Sequence, residues 1–265
     1  MTLAYSPCPN DTFIFNDLAA GTLRLDGYDL DVHLHDVETL NRAALEGRYD
    51  ITKLSFPAYL RVCGQYELLN AGSAIGYGCG PLVVARRPMH PDELARACVA
   101  VPGELTTANL LFRLWAPQAA NRFFTRYDQI MNMVAAGEAD AGVLIHEGRF
   151  VYRARGLHLV ADLGAWWQER TGLPIPLGGI AARRTLGERT IRAFDALLRK
   201  SVENALAHPQ GAAAYVHAHA QEIDAGVQAR HIEMFVNDFT VDLGSAGRAA
   251  VAQLEKLAGG AGVIT

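Results

Sequence analysis

The chain has only four cysteines, Cys8, Cys63, Cys79 and Cys98, and no two of them are spaced Cys-x-x-Cys or stand beside a histidine pattern. That argues against a zinc site and against a disulfide framework, so the four read as reduced, mostly buried thiols. The pairs His33/His35 and His217/His219 each lack a third ligand nearby, and no metal is expected. Lysine and arginine form no cluster with interleaved aromatics, and the formal net charge is −4, which speaks against a nucleic-acid partner. No apolar run reaches bilayer-spanning length, so membrane insertion is not expected. A basic segment, apolar core and small-residue cleavage site are also missing from the start, and the expectation is a cytoplasmic protein. The glycines at 72, 76, 78 and 80 match neither a phosphate-binding loop nor a dinucleotide fingerprint.

What is present is an ordinary globular composition, with half of the 265 residues hydrophobic and a fifth charged. That length holds one large or two modest domains. Short apolar runs alternate with helical patterns from Leu3–Tyr5 through Ile175–Ala181, which predicts an α/β fold with mostly parallel strands. From Leu186 onward the pattern is helical: 188–207, 211–221, 225–235 and 245–258. The twice-proline break Arg86–Pro91 and the glycines of Pro174–Ile180 suggest two chain crossings, the second able to act as a hinge. Residues 1–87 with 182–265 would then form a larger lobe carrying the C-terminal helices, and residues 88–181 a smaller lobe.

The most specific stretch follows the first strand: Ser6-Pro7-Cys8-Pro9-Asn10-Asp11-Thr12-Phe13. Two prolines stiffen it, and Asn10, Asp11 or Thr12 is placed to cap the helix that follows. A strand, a rigid loop and a helix start present bare N–H groups, which suits an anionic or hydroxylated ligand. An ordinary capped turn fits the same residues. Cys8 reads as a small packing residue in that loop or as part of a site.

His146 ends the apolar run Ala141–Ile145, where open α/β sheets face their ligand crevice. An imidazole there, with an unperturbed pKa near ~6.5, is a ready general base whose rate would fall below pH ~6. On position alone, a histidine that merely bonds a loop fits equally well. The other eight histidines sit at polar turns or on helical faces. Thr106, Thr107 and Ala108 open a helix after the strand Val99–Val101 and form either an anion seat or a plain cap. Asn41 lies on the helix after Asp36, and Ser55 at the end of the strand Ile51–Leu54. Lys53, the only lysine before Lys200, is either a cleft charge or an edge residue.

The octapeptide closely resembles the opening motif of the 1,4-dihydroxy-6-naphthoate synthases, enzymes of the futalosine route to menaquinone. The segments Asp36–Asn41, Asp50–Ser55, Pro102–Ala108, Gly142–Glu147 and Val241–Arg248 resemble the same family. The resemblance implies a two-lobed fold of the type II periplasmic-binding-protein kind with a central cleft. It also implies a cofactor-free carbon–carbon lyase that converts cyclic dehypoxanthinylfutalosine to 1,4-dihydroxy-6-naphthoate. His146 would be its base. Thr107 and Ala108 would hold a substrate oxygen group through hydroxyl and backbone donors, and Asn10, Asn41 and Ser55 would meet the substrate from the opposite lobe. Chorismate dehydratase of the same pathway and a non-enzymatic binding protein of the same fold are the alternatives.

Overall fold

The computed structural model describes residues 1–221 and 224–260. Its strands, in chain order, are β1 (Thr2–Tyr5), β2 (Asp31–Leu34), β3 (Ile51–Ser55), β4 (Tyr66–Leu68), β5 (Ala74–Gly76) and β6 (Leu82–Ala85), followed by β7 (Val99–Val101), β8 (Arg122–Phe124), β9 (Ala141–Leu144), β10 (His158–Asp162) and β11 (Ile175–Arg183). They form two sheets. The first has the order β2-β1-β3-β11-β4, with β5 also on β11, and the second has the order β10-β6-β9-β7-β8.

Within each sheet the strands that alternate with helices are parallel: β2, β1 and β3 in the first, β8, β7 and β9 in the second. Both sheets are nevertheless mixed, which corrects the expectation of mostly parallel pairing. β6 runs antiparallel to β9 and β10, and β11 runs antiparallel to β3, β4 and β5. The reason is topological. A chain arriving from the other sheet enters at the ends where the parallel strands finish, so its first strand must run back against them.

These sheet changes lie elsewhere than the sequence suggests. The chain leaves the first sheet after Gly76 and enters the second at Leu82, and it returns between Asp162 and Ile175. Residues 82–85 and 175–181 therefore stand in the opposite sheets from those expected, while 222, 223 and 261–265 lie outside the described residues. The break at Arg86–Pro91 is a turn after a strand of the second sheet. Gly178 and Gly179 are paired with Ser55 and Leu54 inside β11. A Cβ on Gly179 would stand 2.7 Å from Leu68 Cδ1, so this glycine serves close packing rather than a hinge. The tightest backbone approach is at the two crossings themselves. A Cβ on Gly164 would stand 2.1 Å from the Cys79 carbonyl oxygen, and Gly80 takes a φ of +151° beside it.

The helical tail packs as its pattern demands. Phe194, Leu198 and Val202, four residues apart on the helix Glu188–Ala207, share a buried cluster with Phe13, Ile14 and Phe15 of the helix Pro9–Ala19. Fully burying side chains of this size is worth about 1.5–3 kcal/mol each. Ser201 Oγ donates to the Ile14 carbonyl at 2.7 Å, so the one polar residue on that face is satisfied. The start of the first helix, which carries the proline motif, is thereby held from behind. Among the described residues no helix is long and apolar enough to cross a membrane.

Candidate active site

A cavity of about 670 Å³, its open mouth included, lies where β1, β3, β7 and β9 end. Asn10, Ser55, Thr107, Ala108 and His146 all line it, so the structure brings five of the six expected residues to one place. Asn41 is fully buried and is not on the wall. It stands behind Ser55 and holds it twice: its Nδ2 donates to Ser55 Oγ at 3.1 Å, and its Oδ1 accepts from Ser55 N at 2.9 Å. Asn41 thus positions the wall residue rather than meeting a ligand.

The proline motif folds differently from the capping expectation. Cys8 is the N-cap, without a side-chain cap bond, and Pro9 occupies the first turn. Proline has no N–H to leave unsatisfied there and presets φ for the helix. The helix therefore starts before Asn10 and Asp11, whose side chains are left free for the cavity wall. Asp11 is almost fully buried and every oxygen is used. Its Oδ1 accepts from Lys53 Nζ at 2.6 Å and from Asn10 Nδ2 at 2.9 Å, and its Oδ2 accepts from Ser6 Oγ at 2.7 Å and Ser6 N at 3.2 Å. Satisfying every lone pair is what makes a buried ion pair tolerable. It also settles Lys53: β3 is an interior strand, and the lysine is a charge in the cleft wall.

His146 stands two residues past β9 with φ at 53°, the one non-glycine residue in the left-handed region among the described residues. Such conformations are sparsely populated and cluster at functional sites. Cys8 Sγ lies 3.7 Å from its Nε2, the Tyr127 ring centroid is 4.8 Å away, and the His231 ring lies parallel at 5.9 Å. Part of the imidazole surface still opens to the cavity, yet the narrow surroundings dominate its titration. Burial, with Lys53 acting in the same direction, pulls the pKa down to about 4 against the opposing carboxylates of Asp11 and Asp36. The ring is a neutral, unprotonated base at neutral pH. Burial, reinforced by the Glu147 and Asp11 carboxylates, holds the Cys8 thiol well above its ordinary range, so Cys8 is a neutral neighbour and not a thiolate nucleophile.

The Thr106–Ala108 turn supplies donors, though not all of those expected. Thr106 caps the helix Thr107–Trp115 by accepting from Asn109 N. The Thr107 hydroxyl proton is committed to the Leu177 carbonyl at 2.6 Å, so it does not donate to a ligand. The backbone N–H groups of Thr107 and Ala108 have no acceptor among the described residues. They remain an anion seat at a helix start.

Two wall residues escaped the sequence reading. In the sequence Asp11 reads only as a cap. His231 reads as one of the histidines at turns or on helical faces, yet it is fully buried on the cavity wall, with Nε2 2.9 Å from Asn10 Oδ1. The available signal was its place in the stripe Val227, His231, Phe235, spaced by four on the helix Ala225–Phe235.

Two α/β sheets meeting at a cleft in this order define the class of periplasmic-binding-protein-like folds. The alkanesulfonate-binding protein SsuA of Xanthomonas axonopodis pv. citri superimposes with a TM-score of 0.75 at 12% identity, covering 100% of this chain and 94% of that one, which shows the fold alone. Protein AF1704 of Archaeoglobus fulgidus superimposes with a TM-score of 0.94 at 35% identity, covering 99% and 98%. The model of the menaquinone biosynthesis family matches residues 1–259, and this chain belongs to that family. It is 53% identical to the 1,4-dihydroxy-6-naphthoate synthase of Thermus thermophilus over 96% of this chain and 92% of the relative. It is 43% identical to the enzyme of the same name from Streptomyces coelicolor, over 100% and 94%.

Proposed function

We propose that this chain is a menaquinone-biosynthesis lyase that converts cyclic dehypoxanthinylfutalosine to 1,4-dihydroxy-6-naphthoate without a cofactor. The observation that carries the reading is a neutral imidazole, His146, held in a strained backbone conformation at the wall of a cavity between two sheets. Near-full-length identity to two synthases of that name supports the substrate.

In this reading His146 takes a proton from the bound substrate, and carbon–carbon cleavage follows, driven by aromatisation of the second ring. The free N–H groups of Thr107 and Ala108 hold a substrate oxygen group. Ser55, oriented by Asn41, and Asn10 meet sugar hydroxyls from the first sheet's side. The two sheets with their helices act as lobes that close over the ligand and keep water from the intermediate. The Glu38 carboxylate, which accepts from Glu104 N and Leu105 N at 3.1 Å each, would be one clasp between them. The enzyme would work in the cytoplasm on a small molecule, with no nucleic-acid partner.

The test is direct. Purified protein is mixed with cyclic dehypoxanthinylfutalosine, and the naphthoate's absorbance is followed. Growth of that absorbance with loss of substrate is the expected result; unchanged substrate with active-concentration protein would overturn the assignment.

A further inference from the structure

His231 sits on the cavity wall with a defined tautomer, because each hydrogen bond around it has only one possible direction. The Asp11 carboxylate can only accept, so Asn10 must turn its Nδ2 towards Asp11 Oδ1, 2.9 Å away. That fixes the amide and leaves Asn10 Oδ1, an acceptor, 2.9 Å from His231 Nε2. Two acceptors do not bond, so Nε2 carries the proton. A neutral imidazole has one such proton, and His231 is neutral: burial first, then the neighbouring His146 and Lys53, hold it well below the ordinary histidine range. Its Nδ1 is therefore a bare lone pair.

That lone pair is buried, and no protein group among the described residues bonds it. A buried acceptor without a partner is costly. Packing fixes the ring on other sides, with the Phe235 centroid at 4.7 Å and the Phe150 centroid at 6.5 Å. The residue is thus rigid, uncharged, on the wall of the ligand cavity, and one donor short.

We propose that His231 is a specificity-determining residue whose Nδ1 accepts a hydrogen bond from a hydroxyl of the bound ligand. The inference rests on the lyase reading for the ligand's identity, since the sugar-derived ring of that substrate carries hydroxyls. A lone pair repels a carboxylate, so the hydroxylated ring lies against His231 and the anionic end lies elsewhere. The Lys53–Asp11–Asn10 series then acts as a scaffold that keeps Nε2 protonated and Nδ1 free.

The test combines kinetics with nitrogen spectroscopy of histidine labelled with ¹⁵N. His231→Gln keeps a donor towards Asn10 and removes the Nδ1 acceptor; His231→Asn places an acceptor near the Nδ1 position. With folding checked by thermal melts, His231→Gln is expected to lower kcat/KM about 10- to 100-fold, mostly through KM, with His231→Asn losing less. An analogue lacking the hydroxyl should remove the difference between wild type and His231→Gln. In wild type the unprotonated Nδ1 resonance should shift upfield on adding substrate. Equal losses in both variants, or a bound substrate that leaves the Nδ1 resonance unmoved, would overturn the proposal. If substrate binds without being consumed, the lyase reading fails while the nitrogen shift still decides this one; if substrate does not bind, both fail.

Discussion

The rings of His146 and His231 lie parallel, 14° apart in plane with centroids 5.9 Å apart, one at the end of β9 and the other on a helix near the C-terminus. Burial disfavours a proton on both, and His146 disfavours it further on His231. The rate should therefore stay flat from pH 7 to about 5 and decline only near pH 4, where His146 titrates. That replaces the decline below pH ~6 expected of an exposed imidazole. Stability responds to the same groups over a higher pH window. Between the unfolded histidine value of about 6.5 and the folded one, the unfolded chain binds more protons, so stability falls as pH is lowered through that window. Thermal melts from pH 7 to 4 check the second expectation and initial rates the first. A rate that halves by pH 6 with intact folding would count against His146 as the buried base.

His146→Asn is the informative substitution at that site, because asparagine tolerates the left-handed backbone that His146 occupies. Folding should survive, and turnover should fall by about 10²- to 10⁴-fold, the usual contribution of a general base. Substrate affinity, measured by calorimetry, should change little. Near-normal turnover would remove His146 from the mechanism.

Lys53→Met tests the buried ion pair. It leaves the Asp11 carboxylate in the wall with only neutral donors, and breaking a buried pair from one side costs about 3–5 kcal/mol. The midpoint of thermal unfolding should drop by roughly ten degrees. The double variant Lys53→Met with Asp11→Asn should recover part of that loss, because no uncompensated charge remains. Equal destabilisation by the single and double variants would show that the pair acts through packing alone.

The local signals in the sequence were strong where one residue type has one use. The strand end at His146, the helix start at Thr106 and the four-residue stripes of the tail follow directly from periodicity and capping chemistry. Ser55 and Asn41 were legible as neighbours of the cleft, though not that one holds the other. The misreadings share a cause, which is that pairing between distant segments leaves no local mark. Arg86–Pro91 and Gly178–Gly179 look like boundaries, but only the register of β6 and β11 shows which sheet each belongs to. Asp11 looks like a cap until Pro9 moves the helix start ahead of it, and His231 looks like a face residue until the tail docks on the first helix.

Two glycines, Gly179 inside β11 and Gly164 at a chain crossing, separate packing from hinge motion. Gly179 faces side chains: a Cβ there meets Leu68 Cδ1 at 2.7 Å and Ser73 Oγ at 3.3 Å, and the leucine's terminal methyl can move aside. Gly164 faces backbone, with the Cys79 carbonyl oxygen at 2.1 Å and its carbon at 2.9 Å, which leaves nothing to yield except the crossing loop. Cys79 adjoins Gly80 and Pro81, both on the cavity wall. Gly164→Ala should therefore cost more than the 1–3 kcal/mol or so typical of an overpacked site, and it should impair turnover by displacing that wall. Gly179→Ala should stay within about that range and leave turnover near wild type. Chemical denaturation and steady-state rates on both variants make the comparison. If Gly179→Ala abolishes turnover at unchanged stability, β11 flexes during the cycle and the hinge lies inside the strand after all.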